Sequence, residues 1–106
     1  MNVTLKAAYS LVLVPETIHT IKRMVAYGEC SPHHLMCMES LRDRLHEACA
    51  AFESMDATEQ YETLYLLLFD ALSLITDALS LKKVRHQRLL AALKVLERIR
   101  MEGGAS

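Results

Sequence analysis

Glycine and proline are scarce in this chain of 106 residues, which has three glycines and two prolines. An all-β chain needs turn residues at short intervals, so this scarcity argues against such a fold. Between Pro32 and Gly103 there is neither a proline nor a glycine, so no strong helix breaker interrupts that stretch. The sequence therefore predicts an all-α fold, a small bundle of three to four helices that includes long amphipathic helices and is completed by dimerisation.

Motifs that would indicate a reaction are also missing. There is no glycine-rich phosphate loop and no readable pattern of nucleophile, base and orienting group. Asp70 and Asp77 lie two helical turns apart, about 10 Å along the axis, which is too far for the carboxylate pair of a retaining glycosidase. We therefore expect that the chain is not an enzyme and needs no cofactor.

The N-terminus and the cysteines bear on the cellular compartment. Only Lys6 precedes the apolar run 7–14, and no small-residue cleavage site follows before Pro15, so we expect no signal peptide. Three cysteines cannot all pair within one chain, which favours free thiols in a reducing compartment. These features predict a cytoplasmic protein.

The composition, with 52% hydrophobic and 24% charged residues, is typical of one globular domain. We expect a single helical domain over 1–106, with an N-terminal arm at 1–14 and a disordered tail at 103–106. The pattern of the arm fits a strand or a helix equally well. Pro15 is expected to begin the first regular helix and Gly28 to end it.

A second helix is predicted from Ser31 and Pro32, because serine caps helix N-termini and proline is favoured at the first helical position. Its apolar residues step by three and four, as in a coiled-coil seam. The seam is Met38, Leu41, Leu45, Ala48, Phe52 and Met55. A break is expected after Ser54, where Asp56 and Glu59 have the spacing of a capping box.

A third helix is predicted within residues 64–81, which are apolar at thirteen of eighteen positions. The polar residues form one narrow stripe on an otherwise apolar cylinder. The stripe is Asp70, Ser73, Asp77 and Ser80, with Thr76 beside it. A membrane span is the rival interpretation, but two aspartates would each cost a few kcal/mol there, so we expect no membrane partner.

The stretch 82–101 is predicted as an amphipathic helix, either separate from the third or continuous with it. Its apolar face is widened by residues beside the main seam. The seam is Leu89, Leu93, Leu96 and Arg100, widened by Ala92, Val95 and Ile99.

A formal net charge of −1 conceals an uneven distribution. Residues 39–77 carry nine acids and two bases, a net charge of −7, and residues 82–100 carry seven bases and one acid, a net charge of +6. The run Lys82–Arg88 is a candidate for phosphate contact, although nucleic-acid binders usually have a net basic domain. The alternative is that the basic helix pairs with the acidic segment, within the chain or across a dimer.

The segment 30–37 contains ligand types that zinc and copper prefer, at Cys30, His33, His34 and Cys37. A structural zinc site needs four ligands, usually as two separated pairs, so we expect no metal, although a dimer could supply two sets. A metal-binding or DNA-binding helical transcriptional regulator remains the alternative function.

A helix that is apolar nearly all round must be covered on nearly all sides, and a chain of this length has little material to cover residues 64–81. We therefore expect a partner-binding or dimer interface on this helix. The candidates are Leu64, Leu67, Leu68, Leu72, Ile75 and Leu79. The alternative is an internal core, which we expect for about half of them.

In size, helicity and surplus of apolar residues along its whole length, the chain resembles small all-helical bacterial regulators that act by holding another protein. These include antiactivators of LuxR-type quorum-sensing regulators (the QslA and TraM type) and type III secretion chaperones. The resemblance implies inhibition by occupying a partner's dimerisation or DNA-binding surface. We therefore expect an antiactivator of a transcription factor, with a secretion chaperone as a further alternative.

Overall fold

The computed structural model describes residues 3–28, 30–54 and 62–104, and side chains within 14–28, 30–54 and 62–101. These residues form four α-helices and one short 3₁₀ helix, and no strand occurs among them. The helices are α1 (Val3–Tyr27), α2 (Pro32–Ser54), α3 (Glu62–Ser80) and α4 (Arg85–Gly104), with the 3₁₀ helix at Lys82–Val84. The predicted all-α bundle is confirmed.

The four helices form a ring around one core. Each helix contacts the next along the chain, and α1 also contacts α4. The longest dimension of the molecule is 39 Å, and α1 with its 25 residues accounts for roughly 37 Å of it at 1.5 Å per residue. We call the adjacent helices α2 and α3 one half of the bundle, and the adjacent helices α1 and α4 the other half.

The seam predicted for α2 is buried in the core. Its apolar positions recur every three or four residues, so they share one helix face. The buried members are Met38, Leu41, Leu45, Ala48 and Phe52, and Cys49 is buried beside them. Met55 lies outside the described residues.

The buried face of α4 is centred slightly differently from the predicted seam. The fully buried positions are Leu89, Ala92, Leu96 and Ile99. Leu93 and Val95 are partly buried and pack against the core, while Arg100 is exposed. The residues expected only to widen the seam therefore supply half of its buried centre.

The connection between α1 and α2 follows the sequence signals. Gly28 has a φ of 65°, the left-handed conformation that glycine adopts without strain at a helix C-terminus. The hydroxyl of Ser31 accepts a hydrogen bond from the backbone N–H of His34 at 3.2 Å. Ser31 is therefore the N-cap of α2, as predicted, and Pro32 is its first residue.

The prediction that Pro15 begins a helix is wrong, because α1 begins at Val3 and continues through Pro15. Proline removes one backbone donor, which costs about 3 kcal/mol inside a helix. Pro15 lies on the exposed side of α1 and Val14 is buried. The packing of buried α1 residues therefore offsets a local defect that faces solvent.

The ends of the other helices agree in part with the expected breaks. Helix α2 ends at Ser54 and α3 begins at Glu62, so a break after Ser54 is confirmed. The capping-box pair Asp56 and Glu59 lies outside the described residues. Residues 103 and 104 of the expected tail belong to α4, and residues 105 and 106 lie outside the described residues.

Helices α3 and α4 are separate, and Arg85 links them. Its Nε donates a hydrogen bond to the carbonyl oxygen of Ala78 at 2.6 Å, and its Nη2 donates to that of Leu79 at 3.3 Å. The last carbonyls of a helix have no intrahelical partner and carry the negative end of the helix dipole. The guanidinium therefore caps α3 from the first residue of α4.

Among the described helices, α3 is the one that is long and apolar enough to cross a membrane. That is weak support for a span, because the core helix of a soluble protein has the same length and composition. Five of its residues are buried against the bundle, and the Asp77 carboxylate pairs with Arg88 of α4 at 3.3 Å. These contacts join α3 to the bundle, and 28% of its apolar window is buried there.

Candidate functional site

The six candidate interface residues of α3 divide into two groups. Leu67, Leu68 and Ile75 are buried in the core of the single chain. The other three are partly buried and pack against the same core, and they are Leu64, Leu72 and Leu79. An interface that used the first group would require the bundle to open, so only the second group is available on the folded surface.

The side of α3 that faces solvent changes character along its length. Asp70, Ser73, Thr76 and Ser80 are exposed and Asp77 is partly buried, so the polar stripe faces outward as predicted. Toward the helix N-terminus, the same side presents two large apolar side chains. Leu66 is 49% exposed and Phe69 is 45% exposed.

Sequence reasoning missed Leu66 and Phe69, although a signal was present. They precede Asp70 and Ser73 by four residues, and residues four apart on a helix share a face. Extending the polar stripe backward by this spacing leads directly to them. We call Leu66 and Phe69 the apolar patch of α3.

A row of three aromatic rings in contact leads from the core to the apolar patch. The ring of buried Phe52 meets that of Tyr65 edge-on at 6.0 Å between centroids, and Tyr65 meets Phe69 at 6.1 Å. The Tyr65 hydroxyl donates a 2.7 Å hydrogen bond to Glu53, and this bond raises the pKa of Tyr65. Phe69 is therefore held by a row of rings that begins at Phe52 of α2, which limits the side-chain entropy that Phe69 loses on binding.

A groove between α2 and α3 lies beyond the patch. It is an open cavity of about 540 Å³. Its lining combines the apolar Leu72 and the hydroxyl of Thr76 with four charged or titratable residues of α2. These are Arg42, Asp43, His46 and Glu47. An apolar area beside a polar margin has the anatomy of a protein-binding surface.

The Cys/His cluster does not converge on one point. The Cys30 thiol is exposed and accepts a hydrogen bond from Arg85 Nη1 at 3.2 Å. The Cys37 sulfur turns toward α1, 3.6 Å from the Thr20 hydroxyl. Nδ1 of His34 accepts the backbone N–H of Ser31 at 3.4 Å. Within 3–28, 30–54 and 62–104, no three His, Cys, Asp or Glu residues are grouped to hold a metal ion.

The basic run lies at the start of α4, beside the C-terminal end of α1. A shallow cavity of about 200 Å³ there is lined by Lys82, Arg85 and His86 together with Cys30. Two of the bases of the run already have protein partners, since Arg85 caps α3 and Arg88 pairs with Asp77. The exposed bases that remain in the run are Lys82 and Lys83.

The comparisons with known proteins add no identity, because no family model, no curated protein and no solved structure matches this chain. The class that fold and surface define is a small four-helix bundle with an exposed apolar patch.

Proposed function

We propose that this chain is a non-enzymatic, cytoplasmic regulator that binds and sequesters another protein. The observation that carries the proposal is the apolar patch, in which Leu66 and Phe69 are about half exposed and lie three residues apart on α3. Covering the exposed half of each side chain would contribute about 1 kcal/mol, so the pair offers an interaction surface.

The surroundings of the apolar patch support a protein as the ligand. The α2–α3 groove is open, and its margin carries both positive and negative charges, as the rim of a protein interface does. The neighbouring rings of Tyr65 and Phe52 limit the mobility of Phe69. A rigid aromatic side chain at the centre of a surface is the usual form of a binding hot spot.

The kind of partner is proposed from the resemblance to antiactivators. On that basis the partner is a transcription factor of the quorum-sensing type, held through its dimerisation or DNA-binding surface. A secreted protein held by a chaperone would use the same patch, and the identity of the captured protein separates these two alternatives.

The patch is tested by partner capture with matched variants. The bait is the full chain, and the lysate is treated with nuclease and chelator at moderate salt. The test variant carries Leu66→Glu with Phe69→Glu, and the control carries Leu90→Glu, a leucine 41% exposed on α4. Leu67→Glu is unsuitable, because Leu67 is buried and a charge there would destabilise the fold.

Wild-type and control chains should both enrich the same DNA-binding protein, identified by mass spectrometry. Each glutamate in the patch should cost about 2 kcal/mol of binding free energy, about thirtyfold in Kd against the purified partner. Equal binding by the test variant and the control would refute the role of the patch.

The alternative, a regulator that binds nucleic acid through Lys82–Arg88, makes an opposite prediction. Its affinity for DNA should fall steeply as the salt concentration rises, because phosphate contacts release counterions. The engagement of Arg85 and Arg88 with protein groups reduces the number of bases available for phosphate. Partner capture that withstands nuclease treatment favours the protein-binding function.

A further inference from the structure

We propose that copies of this chain associate head to tail, with the acidic α2–α3 half of one copy against the basic α4 face of the next. The occupant of each face is therefore a second copy of the same chain. The inference stands apart from the proposed function, because it concerns the chain alone and uses its charges rather than an external partner.

The acidic half is formed by neighbouring helices. Over the described parts of α2 and α3 there are seven acids and two bases, a net charge of −5. The acids are Glu39, Asp43, Glu47, Glu53, Glu62, Asp70 and Asp77. All of them except Asp77 are exposed.

The basic face is formed by α4 and the 3₁₀ helix that precedes it. Over residues 82–100 there are seven bases and one acid, Glu97, a net charge of +6. Lys94 and Arg98 are exposed, and they lie on one face because they are four residues apart. The other bases are Lys82, Lys83, Arg85, Arg88 and Arg100.

Ion pairs within the chain leave most of this separation of charge in place. Two ion pairs of the acidic half join residues of α2 to each other, Arg42 with Asp43 and Arg44 with Glu47. Glu97 pairs with Lys22 of α1 and with Arg100 within the basic half.

Among the described ion pairs, only Arg88 with Asp77 connects the two halves, at 3.3 Å. Because the halves are neighbouring pairs of helices in a ring, their outer surfaces face in opposite directions. Away from the contact between α3 and α4, a charge on one outer surface therefore faces away from its complement within the same chain.

A second copy provides the missing complement. Every copy presents one face of each sign, and a net charge of −1 keeps the repulsion between whole molecules small. Complementary charge favours association and sets its orientation. A contact between two different faces is heterologous, so it forms rings or chains of copies.

The test measures the mass of the purified chain in solution by sedimentation. At about 0.1 M salt, where the Debye length is about 10 Å, the mass should exceed the 12.0 kDa of one chain. At about 1 M salt the Debye length is about 3 Å, and the association constant should fall by about tenfold or more. A monomer at low salt and high protein concentration would overturn the proposal.

Charge reversal provides the sharper test. One variant carries Glu62→Lys with Asp70→Lys on the acidic half, and the other carries Lys94→Glu with Arg98→Glu on the basic face. All four positions are exposed, so both variants should keep the helical circular dichroism of the wild type. Each variant alone should be monomeric, and an equimolar mixture of the two should associate again.

Restoration in the mixture cannot arise from unfolding, so it isolates charge complementarity. Association that neither salt nor either reversal weakens would contradict the proposal and indicate a symmetric apolar dimer. Association of the wild type only when a basic protein or a polyanion is added would also overturn it, since the occupant would then be another molecule. The basic-face variant keeps Leu66 and Phe69, so it should still capture the external partner even though it no longer self-associates. The two proposals can therefore fail independently of each other.

Discussion

Cys49 shows how burial changes the chemistry of a single side chain. It is buried on α2, and burial followed by the nearby Glu53 carboxylate raises its pKa from 9.0 to about 11. Cys30, by contrast, is exposed, and Cys37 is partly buried. The three thiols therefore differ in access, and the raised pKa of Cys49 further lowers the reactivity of that thiol, because the thiolate is the reactive form.

We expect the thiols to react with a chromogenic disulfide reagent at neutral pH in the order of their exposure. Cys30 should react at once, Cys37 more slowly, and Cys49 only after denaturant is added. Cys30→Ser should remove the fast phase alone. A fast phase that survives this substitution would mean that the bundle opens and exposes the buried thiol.

The raised pKa also predicts how stability depends on pH. The folded state retains the Cys49 proton more strongly than the unfolded state, so the contribution is full below pH 9 and is lost as the pH rises toward 11. The loss should reach roughly 2 to 3 kcal/mol. The measurement is the free energy of urea unfolding of the wild type and of Cys49→Ala at each pH. Lysines and tyrosines titrate in the same pH range in both proteins, so the difference between the two isolates the contribution of Cys49. Parallel curves for the two proteins would contradict the assignment.

At the scale of the element, the end of α3 depends on a residue of the following helix. The carbonyls of Ala78 and Leu79 have no partner within their own helix, and the Arg85 guanidinium supplies donors to both. The connection contains one further turn, in which the N–H of Val84 donates to the carbonyl of Leu81 at 3.2 Å. The α3–α4 corner is therefore held by a charged side chain, with little apolar burial at Leu81 itself.

We expect Arg85→Ala to destabilise the protein by about 1 to 3 kcal/mol, because partly buried carbonyls would lose charged donors. Chemical denaturation followed by circular dichroism measures this effect. Lys83→Ala is the matched control, since Lys83 is exposed in the same corner and should change stability by no more than about 0.5 kcal/mol. Equal effects of the two substitutions would show that the capping bonds contribute nothing.

At the scale of the whole molecule, the bundle is a ring in which every helix has two neighbours. Helix α1 closes that ring, and its buried residues are Val14, Thr17, Ile18, Ile21 and Met24. Removing α1 would expose the sides of α2 and α4 that it covers. A core of this size has few contacts to spare, because a small domain is only marginally stable.

A chain truncated to residues 30–106 should therefore lose its cooperative thermal transition while keeping part of its helical signal. Scanning calorimetry together with far-UV circular dichroism measures both properties. The substitution Ile21→Ala is a milder change than the truncation. It should lower the free energy of unfolding by about 2 to 5 kcal/mol, because Ile21 is fully buried. A sharp transition in the truncated chain would show that α2, α3 and α4 form an independent unit.

Local patterns in the sequence were enough to predict most of the helices and most of the core. Periodic apolar residues and the scarcity of breakers predicted the all-α class, and local signals at Gly28 and Ser31 predicted one connection, because capping depends on neighbouring residues alone. The outward polar stripe of α3 followed from spacing for the same reason.

Which apolar residues of α3 are covered depends on how the helices pack against one another. Leu67, Leu68 and Ile75 are buried, while Leu66 and Phe69 are exposed, because the direction of the helix face depends on where α2 and α4 lie. The path of α1 through Pro15 was likewise decided by packing, which offsets the local cost of proline. The separation of acidic and basic halves is a property of the ring as well, since it depends on which helices are neighbours.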